Sequence, residues 1–353
     1  MDGGSDFFVS FVIFSLPYSG GGYGACFMTN FYHASANSYR AAAAFVLAFA
    51  LLSPAPSRAD TFGSGSNSFE ISFVQISQTN NATDPASGNR YGAVPYEYRA
   101  GIYEITESMI TKATASGLVG VTAGAWTNQN QPAGNLNWFE AAAFVNFLNT
   151  NSGKTAAYNL AWDGSTWSMT LQNPTNAWTL GGTNLYRNKN AYYFLPSENE
   201  WYKAAYYNAA GTNYFLYPTA SSTVPTAVTN GTNSGTAVFI GNTVSPVQPA
   251  VVTLAGALSA YGTMGQGGNL REWTESATDG LYNNANAFRA MRGGYYNSIA
   301  GTLASTNRDT FNPFIVNNTF GFRVASVPEP STYALLLLGA GAMYLWKRRR
   351  DSL

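Results

Sequence analysis

Two unbroken apolar runs bracket this chain, residues 41–52 (AAAAFVLAFALL) and residues 333–346 (YALLLLGAGAMYLW). Between them the hydrophobic positions fall into shorter, periodic groups. In FEISFVQI the alternation predicts a β-strand with Phe69, Ile71, Phe73 and Gln75 on one face. VPYEYRAGIYEIT, with Tyr96, Tyr98, Ile102 and Ile105, is rich in strand formers. The period then changes. NWFEAAAFVNFLN reads as a helix with Asn137 as N-cap, Glu140 three residues on, and Phe144, Phe147 and Leu148 at helical spacing. LPSENEWYKAAYY repeats that design with Ser197 as N-cap and Glu200 closing a capping box. The Asn-, Thr- and Gly-rich stretches 150–192 and 208–261 predict irregular chain with short strands. The expected fold is a compact α+β domain with much loop.

The flanking runs carry processing signals. Arg40 precedes the first run, and Ser57, Arg58 and Ala59 place small residues where a signal peptidase reads, so cleavage is expected before Asp60. Met28 is an alternative start, which would leave residues 1–27 outside the protein. Residues 60–68 read as a Gly- and Ser-rich linker, 69–325 as the domain and 326–353 as a sorting segment. The 14 residues of the second run would span about 21 Å as a helix, against about 30 Å of hydrocarbon, which makes a short transmembrane anchor. Basic residues 347–350 would hold its end in the cytoplasm. Upstream, Val327, Pro328, Glu329 and Pro330 form a segment that proline keeps extended. The order Pro-Glu-Pro, apolar helix, basic cluster resembles the PEP-CTERM sorting signal of Gram-negative bacteria. That resemblance implies an exosortase partner, signal peptidase before it, transient inner-membrane anchoring, and a final place at the outer surface or in the extracellular matrix.

Composition narrows the chemistry. Lys plus Arg equals Asp plus Glu at 18 each, and only 10% of residues are charged, so no positive field exists to hold nucleic acid. The single Cys26 and single His33 both precede the expected cleavage point. A mature chain without either residue has no disulfide, no Cys or His zinc site, no thiol nucleophile and no Ser-His-Asp relay. Of the carboxylates, Glu198 and Glu200 sit where a helix start needs them. YGTMGQGGNLREWTES differs, because Gly265, Gly267 and Gly268 free the backbone to turn carbonyls inward ahead of Glu272, as a hard cation such as calcium requires.

Six segments in order, YEYRAGIYEIT, NWFEAAAFVNFLN, FLPSENEWYKAAYY, GGNLREWTES, MRGGYYN and GFRVA, resemble the landmarks of the formylglycine-generating enzyme (sulfatase-modifying factor) family. The resemblance implies that family's α+β fold, distantly related to C-type lectins. It also implies a structural calcium site from the carbonyls of Gly265, Gly268 and Leu270 and the side chain of Glu272. Aerobic relatives bind copper through two cysteines after the Arg-Gly-Gly motif, and others hold iron with three histidines. Here the cysteine positions fall near Asn297 or Ser298 and near Thr302 or Leu303, so neither copper nor iron is expected. The groove would keep Arg292, Tyr295, Tyr296, Asn297, Ser298 and Arg308 as candidate ligand contacts. Three functions follow: a non-enzymatic binding module for extracellular polysaccharide or peptide, an enzyme working on glycans through carboxylates, or a structural envelope protein.

Overall fold

The computed structural model describes residues 58–328 apart from 123 and 125, together with the backbones of Phe14–Pro17 and Tyr23–Cys26. The apolar runs, Glu329 and Pro330 lie outside the described residues, as does the expected anchor helix. Among the described residues no helix is long and apolar enough to cross a membrane. The chain divides into two units, Met1–Pro54 and Ala55–Leu353. The first holds one antiparallel pair, Phe14–Pro17 against Tyr23–Cys26.

The second unit is organised by two sheets. In the larger, β1 (Arg58–Phe62), β2 (Phe69–Ile76), β3 (Tyr98–Gly101), β4 (Tyr193–Phe194) and β9 (Ala325–Ser326) lie in the order β4-β9-β3-β2-β1, all antiparallel. The smaller holds β5 (Arg271–Ala277), β6 (Arg289–Arg292), β7 (Asp309–Phe311) and β8 (Phe320–Gly321), in the order β7-β6-β5-β8, with β5 and β8 parallel. Among the described residues three helices, α1 (Glu107–Ala115), α2 (Trp138–Asn151) and α3 (Glu198–Tyr206), complete the α+β domain. Short strand pairs occupy the irregular stretches, for example Asn159–Trp162 with Trp167–Thr170 and Ala177–Trp178 with Asn184–Asn188.

The first three residues of the expected linker belong to a strand. Residues 58–62 pair with residues 69–73 of β2, and Gly65–Asn67 is a short 3-10 turn. Phe62, 1% exposed, stacks 5.6 Å from Phe69, and Asp60 accepts from Arg99 at 2.6 and 3.1 Å and from the Tyr193 hydroxyl at 2.8 Å. One aromatic anchor and one partly buried, paired carboxylate therefore outweigh a polar, Gly-rich composition. The alternation in β2 holds for Phe69, Ile71 and Phe73, but at its end Ile76 is buried and Gln75 only half-buried. Ile76 packs with Tyr98, Phe194 and Ala325 in a second cluster, apart from the one that takes Phe69, Ile71 and Phe73.

Both expected capping boxes form. In α2, Asn137 Oδ1 accepts from Glu140 N at 3.0 Å while Glu140 Oε2 accepts from Asn137 N at 2.7 Å. In α3, Ser197 Oγ accepts from Glu200 N at 3.3 Å and Glu200 Oε2 from Ser197 N at 2.6 Å. Each box satisfies amides that a helix start leaves without partners. α1, which the sequence reading passes over, starts at Thr106, whose hydroxyl accepts from Met109 N at 3.2 Å. Trp138 and Phe144 of α2 join Trp273 and Phe322 in the main core.

Candidate functional site

β6 ends at Arg292, and Gly293 and Gly294 follow in left-handed conformations with φ of 97° and 67°. A β-carbon on Gly294 would lie 2.5 Å from Thr302 Oγ1 and 2.8 Å from Ser298 Oγ, so only glycine lets this loop close. Inside the closed loop, Ser298 Oγ accepts from Tyr295 N at 2.9 Å. Thr302, on a 3-10 turn over Ala300–Leu303, brings its hydroxyl to 2.7 Å from Ser298 Oγ and 2.7 Å from the Ile299 carbonyl. Of the four positions near which the family's cysteines fall, Ser298 and Thr302 are thus adjacent, and both carry oxygen.

The other candidate contacts divide by exposure. Arg292 is buried; it donates to Glu198 at 2.8 Å and to the carbonyls of Ser305 and Asn307 at 2.8 and 2.6 Å, and stacks between Tyr91 and Tyr202. Arg308 closes on the same Glu198 at 2.9 Å to each oxygen. Glu198 thus tethers the loop between β6 and β7 to α3, in addition to its place at the helix start. Tyr296 is buried, edge-on to Trp126 at 5.7 Å. Tyr295 is half-buried with the Arg271 guanidinium 5.0 Å from its ring centre, and Asn297 is exposed. Of the six, Tyr295, Asn297 and part of Arg308 remain for a ligand, while Arg292, Tyr296 and Ser298 build the loop.

Calcium at Glu272 does not fit. Glu272 is fully buried, and its carboxylate accepts from Arg323 at 2.5 and 2.7 Å and from the Trp201 indole at 2.7 Å. The guanidinium supplies the positive charge that a cation was expected to bring. Among the described residues no group of three or more Asp, Glu, His or Cys side chains is placed to hold a metal ion. The turn instead closes on a residue that sequence reading missed: Glu104 accepts from the Leu270 amide at 3.0 Å and from the Asn269 side chain, and a β-carbon on Gly265 would lie 2.8 Å from it. Burial, and then the charge of Glu272, hold Glu104 well above the usual carboxylate range against the pull of Arg323.

A second buried cluster concerns the carboxylate chemistry. Arg187 lies between Glu200 and Glu275, donating at 2.9 and 3.1 Å to the first and at 2.7 and 2.9 Å to the second. Tyr96 also donates to Glu200 at 2.8 Å, and Tyr158 to Glu275 at 2.9 Å. Burial opposes ionisation of both. The Arg187 charge and hydrogen bonds overcome that opposition at Glu200, which stays below its usual range, and not at Glu275, which stays above it. Both oxygens of each group are engaged, so neither is poised to exchange a proton with a substrate.

An α+β domain of two small sheets, closed by a Gly-Gly loop after an arginine and crossed by buried arginine–carboxylate pairs, defines a class, and the comparisons bear it out. The profile of the sulfatase-modifying factor enzyme 1-like domain matches residues 61–327, and the chain belongs to that family. The profile of the PEP-CTERM protein-sorting motif matches residues 326–350, which marks an exported bacterial protein sorted toward the surface or envelope by an exosortase-type system. No curated protein matches. Among solved structures, Treponema denticola variable protein 1 is similar at 20% identity with a TM-score of 0.55, over 78% of this chain and 100% of that one. The crystal structure of CarF is similar at 19% identity with a TM-score of 0.52, over 73% and 99% of the two chains. At these identities the likeness is one of fold.

Proposed function

We propose that this protein is a non-enzymatic binding module of the bacterial envelope or extracellular matrix, taking polysaccharide or peptide. The observation that carries the reading is the hydrogen-bonded pair of oxygens at Ser298 and Thr302. Soft copper(I) selects sulfur ligands, and two hydroxyls in their place hold it poorly. The carboxylate alternative is disfavoured by the saturation of Glu200 and Glu275. In this reading signal peptidase frees Asp60, the tail anchors the chain in the inner membrane of a Gram-negative cell for a time, and exosortase removes it.

The full chain, incubated with copper, oxygen and a sulfatase-type cysteine peptide, should give no aldehyde by mass spectrometry, and should sediment with the exopolysaccharide of its host. Aldehyde above a copper-only control, or absence from the polymer pellet, would overturn the reading. In a host that makes exosortase, Glu329→Ala should keep residues 333–353 attached, and equal processing of the variant would show that the motif is not read.

A further inference from the structure

A cavity of about 200 Å³ opens between the N-terminal end of α3 and the loop joining Ala177–Trp178 to Asn184–Asn188. Tyr96, Trp178 and Tyr282 wall it, Thr183, Ser197 and Asn199 supply polar side chains, and Arg187 lies at its floor. We propose that this cavity binds a single uncharged sugar unit of an extracellular polysaccharide, an inference that rests on the binding-module reading and gives it a site.

Charge excludes most other ligands. Arg187 is spent on Glu200, Glu275 and the Leu195 carbonyl, so an anion finds no free cation there. One arginine between two glutamates leaves no surplus positive charge, and the glutamate oxygens are themselves engaged, so a cation finds no free carboxylate either. An apolar ligand would fare badly for another reason. Gly181 and Gly280, both with positive φ, bring backbone to the lining, and Thr183 is exposed. Asn199 accepts from Gly92 N at 3.0 Å through Oδ1, while its Nδ2 has no partner among the described residues. Covering these groups with hydrocarbon would desolvate them unpaired.

A sugar ring meets both demands, since its hydroxyls pair with amides and hydroxyls while its C–H faces lie on aromatic rings. The aromatics are oriented for this. Tyr96 donates its hydroxyl inward to Glu200 at 2.8 Å, the Tyr282 hydroxyl lies 2.6 Å from Ser276 Oγ, and the Trp178 indole donates to the Leu180 carbonyl at 2.9 Å. Their polar ends are satisfied within the protein; Tyr96 and Tyr282, both half-buried, offer the cavity its limited apolar surface, while Trp178 is buried against Phe194 and Arg187. The size suits one unit rather than a chain: at about 30 Å³ per water the cavity holds about seven waters.

The test uses the full chain and saturation-transfer NMR with neutral disaccharides of glucose, galactose and mannose, alongside galacturonate oligomers as a charged counterpart. At least one neutral disaccharide should bind and the galacturonates should not. Thr183→Phe, which fills the mouth from an exposed position, should weaken binding at least tenfold. Thr183→Val, which keeps the volume and removes the hydroxyl, should weaken it several-fold, and Thr310→Phe at an exposed position on β7 should leave it unchanged. Preference for the galacturonates, or disaccharide binding that survives Thr183→Phe, overturns the proposal. If the host polymer still binds Thr183→Phe as well as wild type, the cavity is refuted and the binding-module reading stands; if wild type binds neither polymer nor disaccharide, both fall.

Discussion

Ser298 Oγ and Thr302 Oγ1 lie 2.7 Å apart, four residues apart in a loop that Gly293 and Gly294 allow to close. The backbone thus sets two hydroxyls side by side where either side chain could be exchanged for a thiol. The double variant Ser298→Cys/Thr302→Cys should bind copper(I) under reducing conditions, each single variant more weakly, and wild type not measurably. Competition against a chromophoric copper(I) chelator reads the difference, and equal retention by wild type would contradict this view of the loop.

Arg323 should be among the most sensitive positions for stability. Its guanidinium neutralises Glu272 and also donates to the carbonyls of Gly101, Ile102 and Met264. Arg323→Ala leaves a buried carboxylate uncompensated, with an expected loss of about 3–5 kcal/mol by denaturant titration. Since Glu272 is already paired, a chelator should leave the wild-type melting temperature unchanged.

The edge strand supplies a third expectation. Phe62→Ala removes a buried ring from between Phe69 and Tyr193 and should cost about 3–5 kcal/mol. A chain beginning at residue 64 should be destabilised at least as much in the same denaturant titration, because it also loses the Asp60 ion pair with Arg99. Equal stability of the shortened chain would restore the linker reading.

Lys203 makes stability depend on alkaline pH. Burial outweighs the attraction of Glu97 and pushes its pKa down to about 8 from 10.5, while its ammonium donates to the Gln78 carbonyl at 2.8 Å. Between those two values the unfolded chain holds more protons than the folded one, so this residue makes stability rise with pH across the window and loses that contribution as pH falls through 8. Melting measured from about pH 8 to 10 should show the rise in wild type and a flatter profile in Lys203→Met. Parallel profiles would remove Lys203 as the cause.

Much of the frame is legible in the chain because it rests on local chemistry. Asn137 with Glu140 and Ser197 with Glu200 announce their helices by spacing alone, and both boxes close. Phe69, Ile71 and Phe73 announce their strand by alternation. What escaped depends on partners far away in sequence. Phe62 is a lone aromatic among polar residues until Tyr193 packs on it. Glu272 resembles a metal ligand until Arg323, 51 residues on, occupies it. Arg292 is open to either role, ligand contact or tie of the loop, until Glu198, 94 residues earlier, takes its charge. Glu104 lies within the first landmark segment, but its partners are far away in sequence, and its role appears only when Asn269 and Leu270 fold onto it.

Arg99 joins the two ends of the domain, reaching Asp60 on β1 and Ser326 Oγ on β9 at 2.8 Å. Since β9 lies between β4 and β3 rather than at an edge, a pull on the chain after Ser326 would enter the domain through an interior strand. Hydrogen bonds on both sides share that load, and Arg99 passes part of it to the opposite edge. Peeling β9 away would break ladders on two sides at once, together with the Arg99 tie between the first and last strands of the sheet.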